Sequence, residues 1–254
     1  MSPVRASGRP VTVITGAGRG IGAATALHLA EGGHDVVLGY RRDREAAESV
    51  AARAARHGAR ALAVRADVTD EDDVDRLFDV AADLGPVTGL VANAGATLHV
   101  GDLADTPVDV IRTVLDVNLL GVVLCCRRAA LTMSTRRGGP GGAIVTVSSA
   151  AASLGSAHEY VHYAAAKAGV DALTIGLAKE LAGDGIRVNA VAPGTVRTEI
   201  HAAAGDPGRP DRVAARIPLG RPGEADEIAP AIGWLLDERA SYVSGAVLRV
   251  AGGL

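Results

Sequence analysis

The chain has 254 residues, 48% of them hydrophobic and 22% charged, with a formal net charge of −3; such a chain can bury one substantial core without disulfide staples. A single Trp, a single Phe and the lack of any lysine-rich tract argue against nucleic acid as a partner. No apolar run in Met1–Pro10 suits a signal peptide, and no later stretch nears the ~20 apolar residues of a membrane span, so neither export nor a membrane partner is expected.

Short β-branched runs alternate with longer alanine-rich segments of helical period, which predicts repeated strand-helix units around a parallel sheet. The predicted strands are Val11–Thr15, Asp35–Tyr40, Ala59–Arg65, Gly89–Ala92, Ala143–Ser148, Arg187–Ala192 and Ala246–Val250. Helix-like stretches begin at Ile21, Arg44, Asp72, Val108, Glu159 and Glu224. Seven strands with helices between them fit one α/β, doubly wound, Rossmann-like parallel sheet, helices on both faces, and no Ser/Pro-rich linker divides residues 1–254 into more than one domain. Cys125 and Cys126 are chain neighbours in a helical stretch, where they can form neither an ordinary disulfide nor a metal site; that usage suits a reducing cytoplasm. Two segments interrupt the alternation. Arg136–Gly142 reads as an exposed turn, and Gly194–Arg216, with Gly205, Pro207, Gly208 and Pro210, is long enough for a substrate lid over 194–216.

The first chemical signal follows the first strand: Thr15, Gly16, Gly18, Arg19, Gly20, Ile21 and Gly22 open the first helix. Glycines let the backbone turn and approach a pyrophosphate, and the helix N-terminus presents unpaired N–H groups with a partial positive charge.

The second signal is Tyr163-Ala-Ala-Ala-Lys167 in the helix after the fifth strand. Four residues advance a helix by about 400°, so phenol and ammonium project from one face. A free phenol, with a pKa near 10, exchanges protons poorly at neutral pH. A cation ~4 Å away at an effective dielectric of ~20 favours phenolate by up to ~4 kcal/mol, which makes the pair an acid-base candidate. Among 26 basic residues only Lys167 and Lys179 are lysines, so this position calls specifically for an ammonium. Tyr160, two turns from Lys167 and so about 10 Å from it, reads as pocket wall.

Together these signals resemble the short-chain dehydrogenase/reductase family, and the resemblance runs over essentially the whole chain. Further family motifs recur in order: Asp67-Val68, Asn93-Ala94-Gly95-Ala96, Asn118, Ser148-Ser149, and Pro193-Gly194-Thr195-Val196-Arg197-Thr198. The resemblance implies Tyr163 as general acid in reduction and general base in oxidation, with Lys167 lowering its pKa and binding the nicotinamide ribose. It implies Ser149 on the substrate oxygen and Asn118 positioning a water that relays protons to Lys167. Asp67 and Val68 would flank the adenine, Asn93, Ala94 and Gly95 would support the ribose and the central sheet, and Thr195, Val196 and Thr198 would meet the nicotinamide amide, with Pro193 and Gly194 in the same cofactor-binding stretch. Ser148 and Ser153 compete with Ser149 for the substrate.

The tip of the second strand reads Tyr40-Arg41-Arg42 and lacks the acid that holds a free 2′-hydroxyl, while Arg19 sits in the glycine loop. With Arg41 in reach of a 2′-phosphate, the expected cofactor is NADP, with NAD the alternative. No histidine spacing implies a metal; His162 and His201 read as satisfied or exposed side chains with a secondary chance of touching substrate.

Around the tyrosine the chain is most similar to members called sugar or polyol dehydrogenases, so a small-molecule carbonyl or secondary alcohol is the expected substrate. A 3-oxoacyl thioester reductase is the main alternative, since Arg127, Arg128, Arg136 and Arg137 suit an acidic carrier protein. Asp184 stands where such reductases often carry a base. A silent nucleotide-binding sensor of the same fold is the other alternative. The apolar helix Ala164–Leu181 and the segment Ser241–Leu254 resemble family interfaces, so a homotetramer or homodimer is expected.

Overall fold

The computed structural model describes residues 8–254, and the reading of the N-terminal segment lies outside the described residues for Met1–Ser7. The strands are β1 (Val11–Thr15), β2 (Asp35–Tyr40), β3 (Ala61–Arg65), β4 (Val87–Ala92), β5 (Gly142–Val147), β6 (Ile186–Pro193), the short β7 (Val196–Arg197) and β8 (Gly223–Glu224), and β9 (Val247–Val250). Seven of them form one parallel sheet in the order β3-β2-β1-β4-β5-β6-β9, while β7 and β8 pair separately. All seven expected strands are present, with ends shifted by no more than two residues.

The helices are α1 (Gly20–Glu31), α2 (Arg44–Ala55), α3 (Glu71–Leu84), α4 (Val108–Leu115), α5 (Gly121–Met133), α6 (Ala151–Leu154), α7 (Val161–Glu180), α8 (Ile200–Ala203), α9 (Arg209–Val213) and α10 (Ala225–Leu236). Strand residues alternate between two cores. Val11, Val13 and Val37 pack with Leu77 and Phe78 of α3, Cys125 and Ala129 of α5, and Val170 of α7. Ile14, Val36 and Leu38 pack with Leu29 of α1, Val50 of α2 and Ile232 of α10. The central strands β1, β2, β4, β5 and β6 are thus covered on both faces, which is why their runs are predominantly apolar rather than alternating, whereas the edge strands β3 and β9 keep exposed positions at Leu62 and Val247.

Capping residues set the helix starts. Asp43 accepts from Ala46 N at α2, Asp70 accepts from Asp72 N and Asp73 N at α3, and Glu224 with Glu227 makes a capping box at α10. The stretch expected to run on from Val108 is broken: a π-helical turn, Asp116–Leu120, separates α4 from α5. The segment expected as a lid carries α8 and α9. Among the described residues no helix is long and apolar enough to cross a membrane. Sheet order reverses between β1 and β4, so the loops at their C-terminal ends diverge and open a crevice, where open α/β sheets bind ligands.

Candidate active site

A cavity of about 810 Å³ occupies that crevice, running from Arg41 and Asp67 to Tyr163 and the 194–216 segment. At one end the glycine loop climbs over β1 into α1. Gly16 has a φ of +64°, and a Cβ there would stand 2.9 Å from Ala94 Cα. A Cβ on Gly22 would meet the Gly16 carbonyl oxygen at 2.4 Å, so the first turn of α1 can lie against the loop only without a side chain. No side chain caps α1 and no acid occupies its first turn, leaving its N–H groups free for an anion. This cradle fits the pyrophosphate of a dinucleotide, and Gly18, Arg19, Gly20 and Ile21 line it.

Thr15 and Gly22 do not reach the wall. Thr15 is buried, and its Oγ1 accepts from Asn93 N and Ala94 N at 3.0 Å each, tying the β1 and β4 loops together. Asn93 Nδ2 donates back to the carbonyls of Thr15 and Gly16. Val68 also stands away from the cavity wall: it is packed in the core, where a Cβ on Gly121 would come within 2.6 Å of its Cγ2. Asp67 does line the cavity and pairs with Arg41 at 2.7 Å. Burial raises its pKa, but hydrogen bonds from Thr69 and the Arg41 guanidinium outweigh that and hold the carboxyl below its ordinary range.

At the other end, α7 carries Tyr163 and Lys167 on one face, as their spacing requires. Both are buried, and Lys167 Nζ lies 5.7 Å from the Tyr163 ring centroid. The ammonium donates to the Val147 carbonyl at 2.7 Å, and burial lowers its pKa to about 8. The phenol departs from expectation. Burial pushes Tyr163 up to about 12, against opposing effects of a hydrogen bond with Ser149 and the charge of Arg209. In the chain alone, desolvation therefore outweighs the lowering expected from Lys167.

The three serines have separate fates. Ser149 is half-buried, lines the cavity and bonds Tyr163. Ser148 also touches the cavity but is buried, and its hydroxyl donates to the Lys167 carbonyl at 3.3 Å. Ser153 donates to the Ala150 carbonyl and accepts from Arg249. Asn118 lies in the π-helical turn, fully buried beneath the wall. Its Nδ2 donates to the carbonyls of Ala96 and Val114 and its Oδ1 accepts from Ala96 N, so the side chain has no donor left for the expected water. A Cβ on Gly95 would sit 2.8 Å from Asn118 Oδ1 and 3.6 Å from Lys167 Nζ, so this glycine lets the loop pass between them.

Ala94, Gly95, Pro193, Gly194, Thr195, Val196 and Thr198 line the cavity as expected. Tyr160 forms wall beside Tyr163, the rings 5.4 Å apart and edge to face. His162 is buried behind the wall, where desolvation lowers its pKa, and His201 lines the cavity with Nε2 3.0 Å from the Val196 carbonyl. Sequence reasoning missed Arg209, Leu98 and Ser156, all on the wall. Leu98 and Ser156 hold positive φ, +61° and +48°, strain of the kind stored at functional sites, which leaves no mark in residue type.

A family model described as enoyl-(acyl carrier protein) reductase matches residues 16–254. Over 244 residues the chain is 45% identical to the uncharacterized oxidoreductase YgfF of Escherichia coli strain K12, spanning 96% of this chain and 99% of that protein. It is 46% identical, over 96% of its length and 95% of the other, to the cis-4-hydroxycyclohexanecarboxylate dehydrogenase of Sinomonas cyclohexanicum. Among solved structures, a short-chain dehydrogenase from Burkholderia cenocepacia J2315 in complex with NADP superposes with a TM-score of 0.88 at 33% identity, covering 96% of this chain and 97% of that one.

Proposed function

This chain belongs to the short-chain dehydrogenase/reductase family of oxidoreductases, and we propose that it is an NADP(H)-dependent enzyme interconverting a small-molecule carbonyl and its secondary alcohol. The observation that carries this reading is the meeting of Ser149, Tyr163 and Lys167 on the same cavity as the uncapped α1 N-terminus. The cofactor's nicotinamide supplies or accepts the hydride. Ser149 Oγ holds the substrate oxygen, and the Tyr163 hydroxyl gives it a proton in reduction or takes one in oxidation. Lys167, fixed by the Val147 carbonyl, holds the nicotinamide ribose and keeps a positive charge near the phenol. Asn118 acts from below by fixing the Ala96 backbone.

NADP is favoured over NAD by the charges near Tyr40. Arg19, Arg41 and Arg42 line that end; Arg41 pairs with Asp67, Arg19 and Arg42 add further positive charge, and Asp43, the nearest acid in sequence, accepts from Ala46 N as the cap of α2. The relative crystallised in complex with NADP supports the same choice.

Carrier-protein recognition is weakly supported. Arg127 pairs with Glu71, Arg128 with Asp75 and Asp79, and Arg136 with Asp184, so most of the candidate basic patch is neutralised on the chain itself. Asp184 is consumed by Ser134 and Arg136. We assign the protein to the cytoplasm, in keeping with free, buried Cys125 and Cys126. We also assign it a homotetrameric or homodimeric state, in keeping with exposed Ile175 on α7 and Tyr242 and Val247 near β9.

Absorbance at 340 nm with NADPH and NADH, over a panel of ketones, sugars and acyl thioesters, tests the reading. Turnover is expected with a higher kcat/KM for NADPH, reduced by Arg41→Ala. A preference for NADH that survives Arg41→Ala contradicts the cofactor assignment, and nucleotide binding without any turnover favours a sensor.

A further inference from the structure

Arg209 opens α9 in the 194–216 segment yet is only 8% exposed, unusual for a guanidinium on so short a surface helix. Its Nη2 donates to Glu159 Oε2 at 2.6 Å, a residue just before α7, and its guanidinium carbon stands 5.1 Å from the Tyr160 ring centroid. The Tyr160 ring in turn meets the Tyr163 ring edge to face at 5.4 Å. Cation, aromatic ring and phenol-bearing ring thus form one column, with its first member on the segment and the other two at the start of α7.

We propose that Arg209 is a positioning residue that supplies the Tyr163 phenol with a second positive charge, beyond Lys167, when the segment lies over the cavity. The proposal rests on the oxidoreductase reading for its catalytic meaning, but not for its electrostatics. Desolvation opposes phenolate at Tyr163, so a buried cation nearby is what ionisation needs. The other titratable groups around the phenol do not duplicate it. On α7 stand Lys167, His162 and, two turns on, Asp171; Glu159 and Tyr160 precede them, and Ser149 enters after β5. From the segment come His201, which burial disfavours as a cation, together with Glu199 and Asp206, which are acids. Movement of the segment would remove Arg209 from the column, and with it part of the drive for proton transfer.

The two halves of the ion pair separate this role from a mere latch. Glu159 offsets the Arg209 charge, so neutralising each residue must move the phenol in opposite directions, whereas loss of a latch would move it one way for both. The test is 13C NMR of protein labelled at tyrosine Cζ. Four tyrosines give few signals, and loss of one in Tyr163→Phe assigns it. Titration from about pH 8 to about pH 11.5 reaches the onset of Tyr163 ionisation, and at its upper end the Tyr163 signal is expected to have moved less toward phenolate in Arg209→Gln and further in Glu159→Gln than in wild type, as a displacement of roughly one pH unit either way requires, with Arg209→Lys near wild type. Equal or same-direction responses of the Gln variants overturn the proposal, and should Arg209→Gln not fold, an unmoved or later onset of ionisation in Glu159→Gln does so alone. Oxidation of cyclohexanol with NADP+, followed in parallel, separates the two readings. The predicted titration order in a chain that binds nucleotide yet turns over neither cyclohexanol nor the wider panel would sink the oxidoreductase assignment and leave the Arg209 assignment standing.

Discussion

The two ends of the cavity are built by different means. At the nucleotide end, glycine backbone forms the cradle at Gly16 and Gly22, and two side chains pin it from behind: the Thr15 hydroxyl accepts from Asn93 N and Ala94 N, and Asn93 Nδ2 donates to the Thr15 and Gly16 carbonyls. At the substrate end, side chains from distant loops meet: Arg209 reaches Glu159 and His158 reaches Asp102. Backbone cradles admit few residue types and one geometry. Side-chain walls admit many, which is how one fold accommodates many substrates while keeping one cofactor site.

The contrast predicts different failures at the two ends. At the nucleotide end the sharpest loss is expected from Gly22→Ala, whose added carbon collides with the Gly16 carbonyl and Asn93 Nδ2. It should weaken nucleotide binding, read by titration of nucleotide fluorescence, by about a hundredfold, equivalent to roughly 3 kcal/mol. Unchanged affinity would mean that the cradle yields and is not a rigid frame. At the substrate end, Ser149→Ala should reduce kcat at least tenfold, by the order of one hydrogen bond to the reacting oxygen, with nucleotide affinity nearly unchanged. Ser148→Ala should instead lower thermal stability, because that hydroxyl is spent on the Lys167 carbonyl. A reversal of the two outcomes would move the substrate-binding hydroxyl to Ser148.

A further prediction concerns stability against pH. Lys167 has its pKa lowered by burial from 10.5 to about 8. Between those values the unfolded chain binds more protons than the folded one, so this group's cost is full below about pH 8 and fades as pH rises toward 10.5. Relative to Lys167→Met, the wild type should therefore gain about 1–3 kcal/mol of unfolding free energy between pH 7 and pH 10 in urea titrations. A pH-independent difference would show that the lysine is not titrating in a buried site.

Legibility in the sequence follows the same division. Strand runs such as Val11–Thr15 and Asp35–Tyr40 coincide with β1 and β2 because parallel strands buried on both faces must be apolar throughout. The glycine loop and the Tyr163–Lys167 spacing are likewise local, and their geometry follows from a few adjacent residues. The π-helical turn was hidden because Asn118 bonds the Ala96 backbone, 22 residues earlier. Arg209 was hidden because its partner Glu159 lies 50 residues away, and an arginine between Gly208 and Pro210 reads as a solvated loop residue. Val68 follows a cavity-lining aspartate yet turns into the core, a distinction of side-chain direction that neighbouring letters do not carry.

The central claim is that Tyr163 passes the proton while hydride moves between nicotinamide and substrate carbon. Its most direct measurement pairs nucleotide titration with single-turnover reduction of a carbonyl by NADPH deuterated at C4, in wild type and Tyr163→Phe. The account predicts deuterium on the former carbonyl carbon in the wild type, and at least a thousandfold slower transfer in the variant at unchanged nucleotide affinity. Equal transfer rates in the two proteins, with nucleotide bound to both, would contradict it.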